Sequence, residues 1–319
     1  MTLPYDKFAA IVVLPESAVG QITDPDLRRW LERGVFERFE RPRDPLQGVL
    51  GQLNRDYDPD GIAALRMWGQ TGDRPTVWIA AADPVYLEAR LDHLCLHALQ
   101  PGLLSAEELG VLFDFLQEKL AGQERYGFAR IGSHGYVRAD RPMPTSSLPA
   151  AAIDAELPND YMPVDKSGSY HALRGEVEMA LHEHAVNLQR QAAGQPPVNS
   201  LWLWGGGYAP EQETLPHPPL FADEPTLKGY WLSKTGVVSG WPGSIDACLE
   251  ASVAGFVAQP EPSGSGWVGQ CLTELRRALK RRRLSNVTLL LGSRSVVELE
   301  RSNNWMIWRR NPNLFEQLP

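Results

Sequence analysis

The sequence predicts an α/β fold built in layers. Two observations carry that expectation. Short apolar, partly β-branched runs recur along the chain, and segments with apolar residues at helical spacing fall between them. A third observation sets the scale. The 319 residues, 43% hydrophobic and 22% charged, can bury a large core and do not have the composition of a disordered chain. That length fits two domains or one elaborated domain.

Phe8 to Leu14 is a continuous apolar run ended by Pro15, the pattern of a buried strand. Asp24 and Pro25 open a helix as N-cap and first helical residue, and Gly34 closes it. Residues 40–60 read as loop with a short helix. Thr76 to Ala82 reads as a strand stopped by Asp83-Pro84. Ser105 and Glu108 form a capping box ahead of Leu109, Leu112, Phe113, Leu116 and Leu120. Short strands follow at Tyr126–Ile131 and Gly135–Arg138, then a loop over 141–170. One long helix is expected from Leu173 to Ala193, with Val177, Leu181, His184 and Leu188 on its core face, stopped by Gly194 and Pro196-Pro197. Ser200–Trp204 reads as a strand running into Gly205-Gly206-Gly207. Beyond it come a strand at Tyr230–Leu232, a helix at Ser244–Ala251 and a linker at 259–266. A helix at Val268–Arg282 and strands at Val287–Leu291 and Trp305–Trp308 complete the chain.

Composition narrows the classes of function. A formal charge of −8 gives no basis for a nucleic-acid partner. No apolar run approaches the ~20 residues a membrane span needs. The first apolar run lacks the basic flank and cleavage site of a signal peptide, so a cytoplasmic location is expected. Cys95, Cys248 and Cys271 are read as forming no CxxC motif and no Cys/His cluster, which suggests neither a disulfide framework nor a zinc site.

The segment Leu181–Gly207, LHEHAVNLQRQAAGQPPVNSLWLWGGG, resembles the archaeal-type, cofactor-independent phosphoglycerate mutases of the alkaline phosphatase superfamily. Those proteins carry His-Pro-Val-Asn-x-x-Arg at a helix end, then Asn-x-x-Trp-x-Trp-Gly-x-Gly. The matching positions are His184, Val186, Asn187, Arg190, Asn199, Trp202, Trp204, Gly205 and Gly207; Ala185 stands where the family has Pro. Leu103–Glu108, Lys228-Gly229 and Val237–Gly240 match more weakly. Trp308–Pro312 is similar to the tail of a bacterial subgroup, the RpfE-type regulatory proteins. The resemblance implies a reduced alkaline-phosphatase-like core, residues 1–82 and 197–319, with an inserted α/β cap over 83–196.

It also implies a chemistry that the residues do not supply. Such a mutase uses two divalent metals and a Ser nucleophile, with Asp and His ligands gathered from several strand ends. In the family an Asp-Gly follows the first strand; here Pro15-Glu16-Ser17 follows it. After Gly207 one His remains, His217, and no Asp-x-x-x-His block occurs. No catalytic or metal-ligating residue and no cofactor is therefore assigned. The expectation is a non-catalytic relative that binds a ligand or partner. The alternatives are a metal-dependent mutase or phosphotransferase with a rearranged site, and an interaction module using a Trp-rich surface (Trp241, Trp267, Trp305, Trp308).

The candidate ligand-binding residues are Gly205, Gly206, Gly207, Asn199, His184, Asn187 and Arg190. The three glycines could turn backbone N–H groups toward a small anion. Arg138 and Arg141 could clamp a carboxylate, and the basic run Lys280–Arg283 closes a helix whose C-terminal dipole favours cations.

Overall fold

The computed structural model describes residues 8–99, 103–121, 125–252, 254–304 and 315. The expected strand at Trp305–Trp308 and the 308–312 tail lie outside them. The chain forms two compact units, one made of Met1–Tyr57 with Glu211–Pro319 and the other of Asp58–Pro210. The expected boundaries at 82/83 and 196/197 fall inside the second unit.

The first unit opens with strand β1 (Ala10–Leu14), followed by helices α1 (Glu16–Val19) and α2 (Pro25–Leu31), strand β2 (Val35–Arg38) and helix α3 (Pro45–Gln52). Asp24 and Asp44 cap α2 and α3, each just before a Pro at the first helical position. Proline is favoured there because its missing N–H is one that the helix start leaves unpaired. The second unit holds α4 (Ile62–Thr71), β3 (Ile79–Ala89), β4 (Leu94–Ala98), α5 (Ala106–Leu120), β5 (Tyr126–Ile131), β6 (His134–Ala139), α6 (Ser169–Leu181), α7 (Ala185–Ala192) and β7 (Ser200–Gly207). The chain then returns to the first unit with β8 (Leu220–Phe221), α8 (Pro225–Ser233), β9 (Val238–Ser239), α9 (Ile245–Ala251), β10 (Phe256–Ala258), α10 (Trp267–Lys280), β11 (Asn286–Leu291) and β12 (Ser295–Glu300).

The α/β class is as expected. The first unit is a seven-stranded sheet in the order β2-β12-β11-β1-β10-β8-β9, parallel from β11 to β9 and antiparallel at β12 and β2. Period-two alternation sends Ala10, Val12 and Leu14 to one face, where they pack with Trp30 of α2 and Leu272, Leu275 and Leu279 of α10. The opposite face meets α3, where Gly48 lies against Leu290. Tyr230–Leu232, expected as a strand, lies within α8, started by Glu224 as N-cap and Pro225.

The second unit has a five-stranded antiparallel sheet with β3 as its spine. On one side β3 pairs with β7; on the other it pairs with β6 over Ile79–Ala81 and with β4 over Val85–Ala89. Pro84 does not end this strand. It lies where pairing passes from β6 to β4, so its missing N–H breaks no rung. The expected single helix over 173–193 is two helices, α6 and α7, separated at His182–His184, and Leu188 is exposed rather than on a core face. Among the described residues no helix is long and apolar enough to cross a membrane.

Candidate functional site

The residues of the 181–207 signature are held by bonds to the second unit's own backbone. His184 has extended backbone and caps α7, its Nδ1 accepting from Val186 N; its ring lies 4.5 Å from that of Phe115. Burial lowers its pKa. Arg190 is buried and donates to Pro196 O, Leu103 O and Glu108 Oε1, each at 2.9 Å. Glu108 is also the far member of the α5 capping box, so Arg190 ties α7 to the start of α5.

Asn187 and Asn199 share one task. The register that pairs Val85 with Ser200 puts Leu87 opposite Val198. These two do not bond each other. Asn199 accepts from Leu87 N at 2.7 Å and donates to Leu87 O at 2.9 Å. Asn187 accepts from Val198 N at 2.8 Å and donates to Val198 O at 2.7 Å. Two side-chain amides thus replace one rung of the ladder, satisfying backbone groups that would otherwise be costly to bury.

Gly205–Gly207 is the last part of β7, not a loop beyond it. Gly205 N donates to Ser146 O and Gly206 N to Thr145 Oγ1. Gly205 has φ of +60°. A Cβ on Gly207 would collide with the backbone of Gly61, the N-cap of α4. These glycines allow β7 to pass close to α4, and the N–H groups of Gly205 and Gly206 already have partners within the protein. The paired tryptophans are anchors: Trp202 Nε1 donates to Leu148 O and Trp204 Nε1 to Asp83 Oδ2. Asp83 in turn faces Arg66, whose guanidinium bonds Gly135 O and Tyr136 Oη and lies over the Tyr136 and Trp204 rings.

Of the seven candidates, the structure brings Asn187 and Asn199 to one cavity of about 1150 Å³, with Leu87, Arg174, Glu178 and His182 on its walls. His184, Arg190 and the glycines do not line it. Arg138 is half-exposed and 3.7 Å from Asp140. Trp267 is buried and Trp241 packs against the first unit's core, so neither forms an exposed aromatic patch.

In the first unit, the residues that end the parallel strands do not fit a dinuclear metal centre. β1 runs into Pro15, β10 into Gln259, β11 into Gly292 and β9 into Gly240, while Asp223 after β8 accepts from Trp241 N at 2.9 Å. Gln259 Oε1 is buried with no partner among the described residues. Sequence reasoning missed Asp44, placed in a loop although its Asp-Pro step carries the same cap signal as Asp24. Its carboxylate accepts from Gln47 N and from Tyr57 Oη. Burial pushes its pKa up to about 6; the Tyr57 and Gln47 bonds oppose the rise and the Glu224 charge adds to it. Among the described residues, the metal-capable group of three is Glu88, Cys95 and His97, in the second unit. Cys95 and His97 are two apart on β4 and share a face, a clustering visible only with the strand period.

No family model matches the chain. A 2,3-bisphosphoglycerate-independent phosphoglycerate mutase of Methanosarcina acetivorans is 33% identical over 119 residues, 36% of this chain and 30% of that protein. One of Methanosarcina mazei is 30% identical over 137 residues, 41% of this chain and 34% of that protein. The chain thus spans about a third of the length of the curated relatives it matches. Among solved structures, the cofactor-independent phosphoglycerate mutase of Thermoplasma acidophilum aligns at 18% identity and a TM-score of 0.39, over 92% of this chain and 90% of that one.

Proposed function

The chain is related to the archaeal-type, cofactor-independent phosphoglycerate mutases, and from that premise we propose that it is a non-catalytic relative acting by binding, in a regulatory role. The observation that supports this reading is the residue content of the first unit's strand ends. In open α/β sheets ligands gather at the carboxyl ends of parallel strands. There this chain offers Pro15, Gln259 and Gly292, and a carboxylate, Asp223, already bonded to a backbone N–H. Two-metal phosphoryl transfer needs several carboxylate and imidazole ligands converging at that point.

The proposed binding site for a small ligand or a partner protein is the cavity beside Asn187 and Asn199, whose walls carry His182 and the ion pair of Arg174 with Glu178, 3.1 Å apart. The test is a coupled mutase assay on the purified chain with 3-phosphoglycerate and manganese. No turnover above a buffer control is expected. Turnover that falls on Asp223→Asn would overturn the reading.

A further inference from the structure

A group of residues on the β3–β4 ribbon has chemistry that this reading does not use. The two strands pair antiparallel with Glu88 opposite Cys95 and Tyr86 opposite His97. Opposed residues on such a ladder share a face, as do residues two apart on one strand. Glu88, Cys95 and His97 therefore project from the same side. One carboxylate oxygen, the thiol sulfur and one imidazole nitrogen all lie within 4.8 Å of one another. Cys95 is buried, while the side chains of Glu88 and His97 are 34% and 33% exposed, so the thiol forms a floor beneath a half-open rim. His97 Nε2 is 2.9 Å from Glu88 Oε2, and its ring stacks on Tyr86 with centroids 5.9 Å apart.

We propose that Glu88, Cys95 and His97 form a zinc-binding site. Zinc takes thiolate sulfur at ~2.3 Å and imidazole nitrogen or carboxylate oxygen at roughly 2.0–2.2 Å in tetrahedral array, which sets neighbouring ligand atoms about 3.3–3.7 Å apart. Side-chain rotation brings the group to that spacing while the hydrogen-bonded ladder stays in place. A thiolate and an imidazole select zinc over magnesium or manganese, which prefer all-oxygen sites. Three protein ligands leave the fourth position open on the exposed side, as in zinc sites that hold water or a substrate. The binding step balances without redox change: a sulfur–zinc bond forms and the thiol proton leaves to solvent. His97 binds as neutral imidazole through Nε2 with its proton on Nδ1. Arg90 bonds Glu88 Oε2 at 2.9 Å. A carboxylate has two oxygens, so Arg90 can hold one while zinc takes the other, making Arg90 a positioning residue.

The test uses the full chain, untagged and stripped of metal, titrated with cobalt(II) and then zinc. One equivalent of cobalt is expected to give thiolate-to-metal charge-transfer absorption, which zinc then displaces, with one proton released per ion bound. Cys95→Ser should abolish the band. His97→Gln and Glu88→Gln, on the exposed rim, should each weaken zinc binding by at least about tenfold, with circular dichroism confirming the fold. Cys248→Ala and Cys271→Ala, which remove the other thiols, should leave the band intact. No band in the unmodified chain, a band that survives Cys95→Ser, or zinc affinity indifferent to both rim substitutions would overturn the proposal. The two rim variants keep the test decisive if Cys95→Ser does not fold.

Discussion

Asp44 carries two roles that pull against each other. It caps α3 and accepts from Tyr57, yet it is 4% exposed and its pKa stands near 6 instead of 3.8. A carboxyl with a raised folded-state pKa keeps its proton longer in the native protein than in the unfolded chain. Its contribution is therefore full below the unfolded value of 3.8 and is lost as pH rises to about 6, by roughly 3 kcal/mol at most. Asp44→Asn keeps an acceptor for Gln47 N and removes the buried charge. We expect the variant to melt higher than the parent at pH 8 and to lack the parent's fall in stability between pH 4 and 6. Denaturant titrations across that range check this; an unchanged slope would assign the pH dependence elsewhere.

At the scale of elements, the break between α6 and α7 leaves no stop signal in this chain's own residues, and apolar spacing runs across it. Val177, Leu181, His184 and Leu188 fit a helical face, but the motif this segment resembles has proline where Ala185 stands, which would mark a helix start. His184 has φ −65° and ψ 138°, the conformation that precedes proline, and Ala185 is an exposed first helical residue. Ala185→Pro is thus expected to stabilise the protein by about 0.4–1 kcal/mol, measured as a shift in the denaturation midpoint; destabilisation would mean the break is not native. Caps such as Asp24 and Ser105 were legible because side chain and backbone signal within one turn. Strands β8 and β9 were not, since two residues carry no periodicity. α8 was misread because Tyr230, Trp231 and Leu232 favour strands in isolation, whereas the Glu224–Pro225 cap decides for a helix. The candidate site was legible as a set of residues and not as a task, because only the register shows that Asn187 and Asn199 replace a rung.

For the whole molecule, each unit has its own buried core, that of the first drawn from both ends of the chain and that of the second from a continuous stretch. Heat unfolding is expected to depart from a two-state transition, with a calorimetric enthalpy above the van't Hoff value. Variants confined to one unit should then move one component. Arg66→Met leaves Asp83 without its buried cation and should cost about 3–5 kcal/mol, lowering only the component from Asp58–Pro210. Asp44→Asn should move only the other. A single symmetrical endotherm shifted by both would refute this.

The paired asparagines also bear on how the protein behaves in company. Where a ladder stops, bare N–H and C=O groups form a template that a strand from another molecule can extend. At Leu87 and Val198 those groups are taken by Asn199 and Asn187, so the sheet offers no vacant rung there for polymer growth. Two residues that read as contacts for a ligand thus also close that rung of the ladder.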